Sequence, residues 1–221
     1  MLRERGLPRW MDLAISLCGL LFALPLIVCA SLLIRLTSAG PVFFLQKRIG
    51  RDGRSFAMVK LRTMVPDVRG PLVTAGDDQR MTGVGRWLRK LKIDELPELW
   101  NVIRGEMSLV GPRPEVPKYV DFSDPKWQRV LRARPGIVDP VTLRLRHEEE
   151  LLASVEGDRE QFYMEVLQPR KLLGYASYLE HRTVLTDIGI LIKGVGLSVA
   201  PWFRPDTQDV FEIPEGWSGG T

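Results

Sequence analysis

The stretch that most limits what this chain can become is "LAISLCGLLFALPLIVCASLLI", Leu13 to Ile34, an apolar run without a single charged residue. A helix needs about 20 such residues to cross the hydrocarbon core of a bilayer, so this run is long enough. Asp12 and Arg35 bracket it and Trp10 stands at its border. It is too long for the apolar region of a cleavable signal peptide, and no small-residue cleavage pattern follows it. Pro25 lies near its middle. A proline removes one backbone donor and crowds the preceding turn, which predicts a bend there. Arg3, Arg5 and Arg9 precede the run and Arg35, Lys47 and Arg48 follow it, so the positive-inside rule favours both ends on the cytoplasmic side. A helix that enters, breaks at Pro25 and returns satisfies that rule. The residues alone still slightly favour a kinked single span, because prolines do occur in spanning helices.

The remainder reads as one compact domain with attachments, since 221 residues suffice to bury a core. A formal net charge of +4 and a pI near 9.2 suit nucleic acid, an anionic membrane surface or phosphorylated small molecules alike. Cys18 and Cys29 both lie in the apolar run, with no zinc spacing and no disulfide framework, which points to a reducing, cytoplasm-facing setting. His147 and His181 stand far apart in sequence with no cysteine nearby, poor material for a histidine metal site or a Ser-His-Asp triad.

From Gly40 onward the pattern is globular. Val42 to Leu45 and Phe56 to Leu61 read as two strands around a turn supplied by Gly50, Asp52 and Gly53. The Pro/Gly/Asp-rich stretch from about Val65 to Asp78 reads as a loop. "MTGVGRWLRKLKI" gives a short amphipathic helix with Arg86, Arg89 and Lys90 on its polar side. Leu96, Leu99 and Ile103 recur at helical spacing after Asp94, with Pro97 in the first turn and Gly105 as the stop. "DPKWQRVLRARPGI" predicts a helix ended by Pro135-Gly136. From Asp158 a helical hairpin is expected, interrupted at Pro169 and weakened by Gly189, Gly194 and Gly196. Trp202, Phe203 and Arg204 suit a membrane interface and equally a cap on the core, and the tail from Glu215 to Thr221 reads as mobile. No aromatic-basic motif of a nucleic-acid module is present, which argues against nucleic-acid binding.

The chemistry concentrates in "KIDELPELWNVIRGEMSLVGPRP", Lys92 to Pro114. It sets Asp94 beside Glu95 at the expected mouth of a helix, where unpaired N–H groups and a partial positive charge keep a carboxylate ionised and attract phosphate. An ionised aspartate can attack phosphorus to form an acyl phosphate. An adjacent Asp-Glu pair can also hold a hard cation such as Mg²⁺, which bridges protein carboxylate to substrate phosphate. Arg113 is fixed between Pro112 and Pro114, and its planar fork matches phosphate oxygens. Each signal alone has a plain structural explanation, an acidic first turn or a surface turn. Together, behind a membrane anchor, they point to a phosphorylated substrate.

These residues resemble the bacterial sugar transferases, or monotopic phosphoglycosyl transferases. The resemblance covers nearly the whole chain: the proline-broken apolar segment, "FFLQKRIGRDGRSFAMVKLRTM", "TGVGRWLRKLKIDELPELWNVIRGEMSLVGPRPE" and "RARPGI". It implies an α+β fold, with a re-entrant N-terminal membrane helix broken at Pro25 (residues 1–38). A small, mostly helical cytoplasmic domain with a short β-hairpin and interfacial amphipathic helices (39–205) and a C-terminal tail (206–221) follow. It implies transfer of a sugar 1-phosphate from a UDP-sugar to a polyprenyl phosphate such as undecaprenyl phosphate, with release of UMP, at the start of surface glycan assembly. Asp94 matches the family's nucleophile, which carries the phosphosugar covalently. Glu95 matches its partner in the dyad, and the two stand near the Mg²⁺. Arg113 matches a phosphate-binding arginine. Lys60, Arg62 and Arg86 fall in the family's basic motifs and are candidate contacts to the diphosphate or the lipid phosphate; Arg89 is a further one, equally explained as a solvated helix face. The implied location is monotopic in the cytoplasmic leaflet of the bacterial inner membrane, with membrane lipids as partners and a homo-oligomer left open.

The chain departs from the family pattern in carrying Leu24, not a small polar residue, before Pro25. It also reads "VDPVTLRLRHEEELLAS" after "RPGI", where many relatives have a Thr-Gly pair and a downstream Gln. Glu148 to Glu150 read as a solvated helix face outside the site. Two other classes fit the residues. A membrane-anchored binding or scaffold protein for anionic lipids or phosphorylated partners is indifferent to UDP-sugar and Mg²⁺. A tethered phosphohydrolase using Asp94 needs no lipid acceptor.

Overall fold

The computed structural model describes residues 6–66, 73–145 and 148–199. Arg3, Arg5, His147, the Trp202-Phe203-Arg204 group and the C-terminal tail lie outside the described residues, as does part of the loop expected between Val65 and Asp78. The apolar run forms α1, Arg9–Thr37, one uninterrupted helix with Pro25 inside it. The expected division at Pro25 is therefore not a gap between two helices. Proline withholds only one intrahelical bond, and the apolar sequence on both sides keeps the helix going.

One face of α1 is spent on the rest of the protein. Leu20, Ala23, Ile27, Ala30 and Ile34, spaced three and four apart, pack with Leu61, Leu88 and Ile93. Upstream, Leu7 and Met11 enter a second cluster with Val102, Met107 and Leu109. Polar contacts lock the same end. Arg9 donates to the carbonyls of Val102 and Ile103 in the last turn of a helix, where carbonyls lack some of their intrahelical partners. Buried Asp12 accepts from the Ser108 hydroxyl at 2.9 Å and from the Leu109 N–H at 3.0 Å. The opposite face is bare, with Trp10 69%, Phe22 83% and Leu36 81% exposed.

After α1 comes an antiparallel hairpin, β1 (Phe43–Ile49) and β2 (Ser55–Leu61), in register from Phe43 opposite Leu61 to Ile49 opposite Ser55. Its turn places Asp52 and Gly53 at φ 56° and 74°, the left-handed region for which Gly and Asp were read as turn formers. Helix α2, Gly83–Lys90, starts on Thr82, whose side chain accepts from the Gly85 N–H at 2.9 Å. Helix α3, Glu98–Arg104, ends on Gly105 at φ 85°, as its sequence predicts. Its start differs: Ile93–Glu95 form a separate 3₁₀ turn, and Pro97 sits before the helix instead of in its first turn.

Further helices are α4 (Pro125–Val130), α5 (Pro140–Arg144), α6 (Glu148–Ser154), α7 (Arg159–Phe162), α8 (Gln168–His181) and α9 (Val184–Val199). Three expectations change here. Helix α4 stops at Val130, well before Pro135, because Pro135-Gly136 opens a strand. Pro169 does not interrupt the hairpin. It occupies the first turn of α8, where its missing N–H costs nothing, and a π-helical stretch Tyr163–Leu167 joins α7 to α8. The glycines do not break α9; Gly194 packs tightly on the core, where an added Cβ would lie 2.6 Å from Val138, while Gly189 and Gly196 face open space.

The element that aims Arg113 is a two-stranded parallel ladder, β3 (Ser108–Val110) with β4 (Gly136–Val138). The Gly111 N–H donates to Val138 at 3.1 Å and the Gly136 N–H to Pro112 at 2.9 Å. The two backbones touch where both residues are glycine: a Cβ on Gly136 would sit 2.1 Å from the Gly111 nitrogen. Gly136→Ala is therefore expected to lower stability by about 1–3 kcal/mol, the usual cost of overpacking. Denaturant unfolding in detergent micelles measures this, and an unchanged midpoint contradicts the close approach.

Candidate active site

The 3₁₀ turn Ile93–Glu95 lies between α2 and α3 and packs on β2. Lys92 enters it in the left-handed conformation, φ 57°, a strained backbone for a residue with a side chain. Asp94 is 5% exposed, and its Oδ1 is buried without a hydrogen-bond partner. Glu95 turns the other way, into a knot of cations. Its Oε1 accepts from Lys60 Nζ at 3.0 Å and from the Arg113 guanidinium, with Lys92 Nζ at 3.8 Å. Lys60 comes from the C-terminal half of β2, and Arg113 from the turn held by the β3–β4 ladder. On its far side that turn is held by the Ile49–Glu115 bridge and by Arg48 Nη1 donating to the Pro114 carbonyl at 3.0 Å. Asp94, Glu95, Lys60 and Arg113 thus meet from three separate stretches of sequence.

Electrostatics separates the two carboxylates. Burial, and then the charge of Glu95, hold the Asp94 carboxyl above the ordinary carboxylate range. Burial also works against ionised Glu95, but Arg113, Lys60 and Lys92 overcome it and hold Glu95 well below that range. Arg113 in turn is pushed further up by Glu95. This corrects the expectation that a helix terminus lowers the Asp94 pKa. The helix proper begins at Glu98, so its N-terminal field is not aimed at Asp94, and the resting site places its most secure negative charge on Glu95. Arg113 is likewise already engaged, paired with Glu95.

The remaining sequence candidates divide. Arg62 does not reach the cluster: it is buried and donates to the Ser38 carbonyl at 3.0 Å, the Ser38 hydroxyl at 2.8 Å and the Ala39 carbonyl, tying the end of α1 to the end of β2. Arg86 is exposed on α2. Arg89 is not merely a solvated face, since its guanidinium bonds Glu149 of α6. The acidic triplet is correspondingly structural: Glu149 takes Arg89 and Glu148 takes Lys171 at 2.9 Å. Pro25 lies within α1, away from these side chains. Glu98 and Asn101, both buried on the α3 face that meets β2, were not singled out from the sequence. Their signal is spacing: they lie three and six residues after Glu95, a polar stripe in an otherwise apolar helix face.

Among the described residues no group of three His, Cys, Asp or Glu side chains is placed to hold a metal. Mg²⁺ ordinarily takes only one or two carboxylates and completes its shell with water and substrate phosphate. The unpartnered Asp94 oxygen beside Glu95 fits that manner of binding.

A family model described as "Bacterial sugar transferase" matches residues 3–200. The UDP-glucose:undecaprenyl-phosphate glucose-1-phosphate transferase of Caulobacter vibrioides is 37% identical over 82% of this chain and 65% of its own length. The exopolysaccharide production protein ExoY of Sinorhizobium fredii is 36% identical over 85% of this chain and 83% of its own. The undecaprenyl-phosphate glucose phosphotransferase of Komagataeibacter xylinus is 45% identical over 53% of this chain, which spans only 24% of that longer protein.

The separation of the dyad is directly measurable. With aspartate carboxyls ¹³C-labelled, Asp94 is expected to titrate above the ordinary aspartate value of about 3.9. Glu95→Gln moves it downward, because the substitution removes a negative neighbour and releases Arg113 and Lys60. An Asp94 titration that Glu95→Gln leaves in place contradicts this account of the site.

Proposed function

Because this chain belongs to the bacterial sugar transferase family, we propose that it is a phosphoglycosyl transferase that moves a sugar 1-phosphate from a UDP-sugar to a polyprenyl phosphate such as undecaprenyl phosphate, releasing UMP. The observation that carries this reading is the meeting of Asp94, Glu95, Lys60 and Arg113 in one partly buried cluster. A phosphate arriving at Arg113 and Lys60 takes the place of Glu95, and brings the sugar-bearing phosphorus to Asp94. An ionised Asp94 oxygen attacks that phosphorus, the bond to the UMP oxygen breaks, and UMP leaves with the electron pair. Asp94 then holds the phosphosugar as an acyl phosphate. An oxygen of the polyprenyl phosphate attacks the same phosphorus, and the Asp94 carboxylate is regenerated. Lys60 and Arg113 supply fixed positive charge where the transferring phosphoryl group gathers negative charge. Asp94 and Glu95 would hold Mg²⁺, which neutralises charge on the diphosphate when bound. Exposed Arg86 is available to the lipid phosphate.

The membrane reading is monotopic, in the cytoplasmic leaflet of the bacterial inner membrane. The contacts along α1 support it. From Arg9 to Ile34 the helix rises about 38 Å, more than the roughly 30 Å of hydrocarbon, and both ends touch the same domain. A perpendicular span cannot keep both ends against a body on one side. Exposed Trp87 and Trp100, on α2 and α3 next to α1, suit the headgroup level.

Two experiments test the reading. Purified protein with Mg²⁺, undecaprenyl phosphate and a panel of UDP-sugars is expected to release UMP with at least one donor. Chelation abolishes the release, and Asp94→Asn both stops turnover and leaves no phosphosugar on the protein. Silence across the panel favours a scaffold, and lipid-independent release of phosphate favours a hydrolase. For topology, Trp10→Cys and Leu36→Cys, each in a Cys18→Ser, Cys29→Ser background, are expected to react with impermeant maleimide only from the cytoplasmic side. Labelling at position 10 from the other side establishes a span.

A further inference from the structure

Glu98 is the one buried carboxylate beside the dyad that the reaction above does not use. It is 0% exposed, and neither carboxylate oxygen has a hydrogen-bond partner. The cation in contact with it is Lys60, with Nζ 3.2 Å from Oε1, near enough to pair as ions but off the line of a hydrogen bond; Arg113 and Glu95 add their charges from further away. Its neighbour on the same helix face, Asn101, is fully explained as glue between α3 and β2. Asn101 accepts from the Val59 N–H at 3.0 Å and donates to the Ala57 carbonyl at 2.8 Å, satisfying the strand edge on either side of Met58. Glu98 sits three residues earlier on that face, where the strand reaches Lys60, and satisfies no backbone group. An apolar side chain would fill its place at less cost, since a buried ion pair seldom outweighs its desolvation. Burial already pushes the carboxyl upward, with Lys60 opposing.

We propose that Glu98 is a positioning residue for Lys60, and that through Lys60 it sets how readily the site exchanges Glu95 for the diphosphate of the donor. Lys60 lies between two carboxylates, 3.0 Å from Glu95 and 3.2 Å from Glu98. Without Glu98 the ammonium settles entirely on Glu95, and the pair that an incoming phosphate must open becomes tighter. With Glu98, Lys60 stays tethered to α3 while Glu95 lets go, so its charge remains in place for the phosphate. Arg113 also lies in the field of Glu98, but Lys60 is the cation in direct contact with it, which makes Lys60 the one whose position is set from α3.

This inference rests on the proposed reaction, and the test is arranged to tell the two apart. The full chain in detergent or nanodiscs is assayed for UMP release with its active UDP-sugar, for wild type, Glu98→Met, Glu98→Gln, Lys60→Met and the Glu98→Met/Lys60→Met double variant. Glu98→Met is expected to fold with an unfolding midpoint close to that of wild type, because Lys60 keeps Glu95 as a partner and is not left unpaired. Its donor KM rises about tenfold while kcat moves by less than about threefold, the pattern of a lost binding interaction. Glu98→Gln, which still offers Lys60 an acceptor, recovers most of that loss. On the Lys60→Met background, Glu98→Met changes KM no further, because its effect passes through Lys60. An unshifted KM in Glu98→Met, an effect that persists on the Lys60→Met background, or a fall in kcat that tracks a lowered unfolding midpoint overturns the assignment. If wild type turns over no UDP-sugar, the functional reading fails and the inference falls with it; if wild type is active and these patterns are missing, only the inference fails.

Discussion

The structure depends on one helix being packed along its length. Helix α1 is apolar enough to dissolve in lipid on every side, yet it commits one face to protein from Leu7 to Ile34. In lipid there is little hydrophobic gain from swapping hydrocarbon for protein, so packing and polar contacts must fix such a helix. Here the polar contacts stand at its start. Arg9 satisfies the carbonyls that end α3, and Asp12 satisfies the Ser108 hydroxyl and Leu109 N–H in β3. Those two elements flank the chemistry: α3 follows the Asp94-Glu95 turn, and β3 leads into Arg113. At the other end Arg62 ties Ser38 and Ala39 to the strand that carries Lys60. The anchor is therefore part of the frame that holds the site.

The second constraint is charge. Asp94, Glu95 and Glu98 face Lys60, Lys92 and Arg113 in a site mostly closed to water. At that density not every carboxylate can be equally ionised, and the geometry ranks them. Glu95 holds the cations and the lowest proton affinity, while Asp94 keeps an unpartnered oxygen. Two like groups driven apart by their surroundings is how one site assigns them different roles. The ranking belongs to the resting site. In the proposed reaction, a donor diphosphate that takes Arg113 and Lys60 away from Glu95 would change the field at Asp94 as well, coupling binding to activation of the nucleophile.

Much of this was legible in the residues. The apolar run, the hairpin with its Asp52-Gly53 turn, α2, and Gly105 as the stop of α3 follow from period and turn chemistry. Asp94, Glu95 and Arg113 stood out because they crowd one segment, and Lys60 and Arg113 do converge on Glu95. What failed depended on tertiary distance. Arg62 looks like Lys60 in sequence, two residues on and just past the end of β2, yet Lys60 goes to Glu95 and Arg62 to the end of α1. Glu98 looks like a solvated glutamate in a helical first turn and is fully buried. Gly194 and Pro169 were read for their local cost, which packing against Val138 and placement in a first turn offset. A period reports which face is inside; it does not say which buried side chain finds a partner.

The frame and the charge ranking together explain why such chemistry would sit beside a helix laid against the domain. A lipid-linked phosphate stays at headgroup depth, because moving its charge into hydrocarbon is prohibitively costly. The nucleophile must therefore be brought to that depth and still be shielded from water, which would hydrolyse an acyl phosphate. A domain hung from a perpendicular span is free to tilt and to sit at a range of heights above the surface. A domain fixed to its helix from Arg9 to Ile34 is not, and its depth is set by the bare face of α1. The closure that raises the Asp94 pKa would, in the proposed reaction, be the same closure that keeps the intermediate dry. The buried cations around Glu95 are what make that closure tolerable.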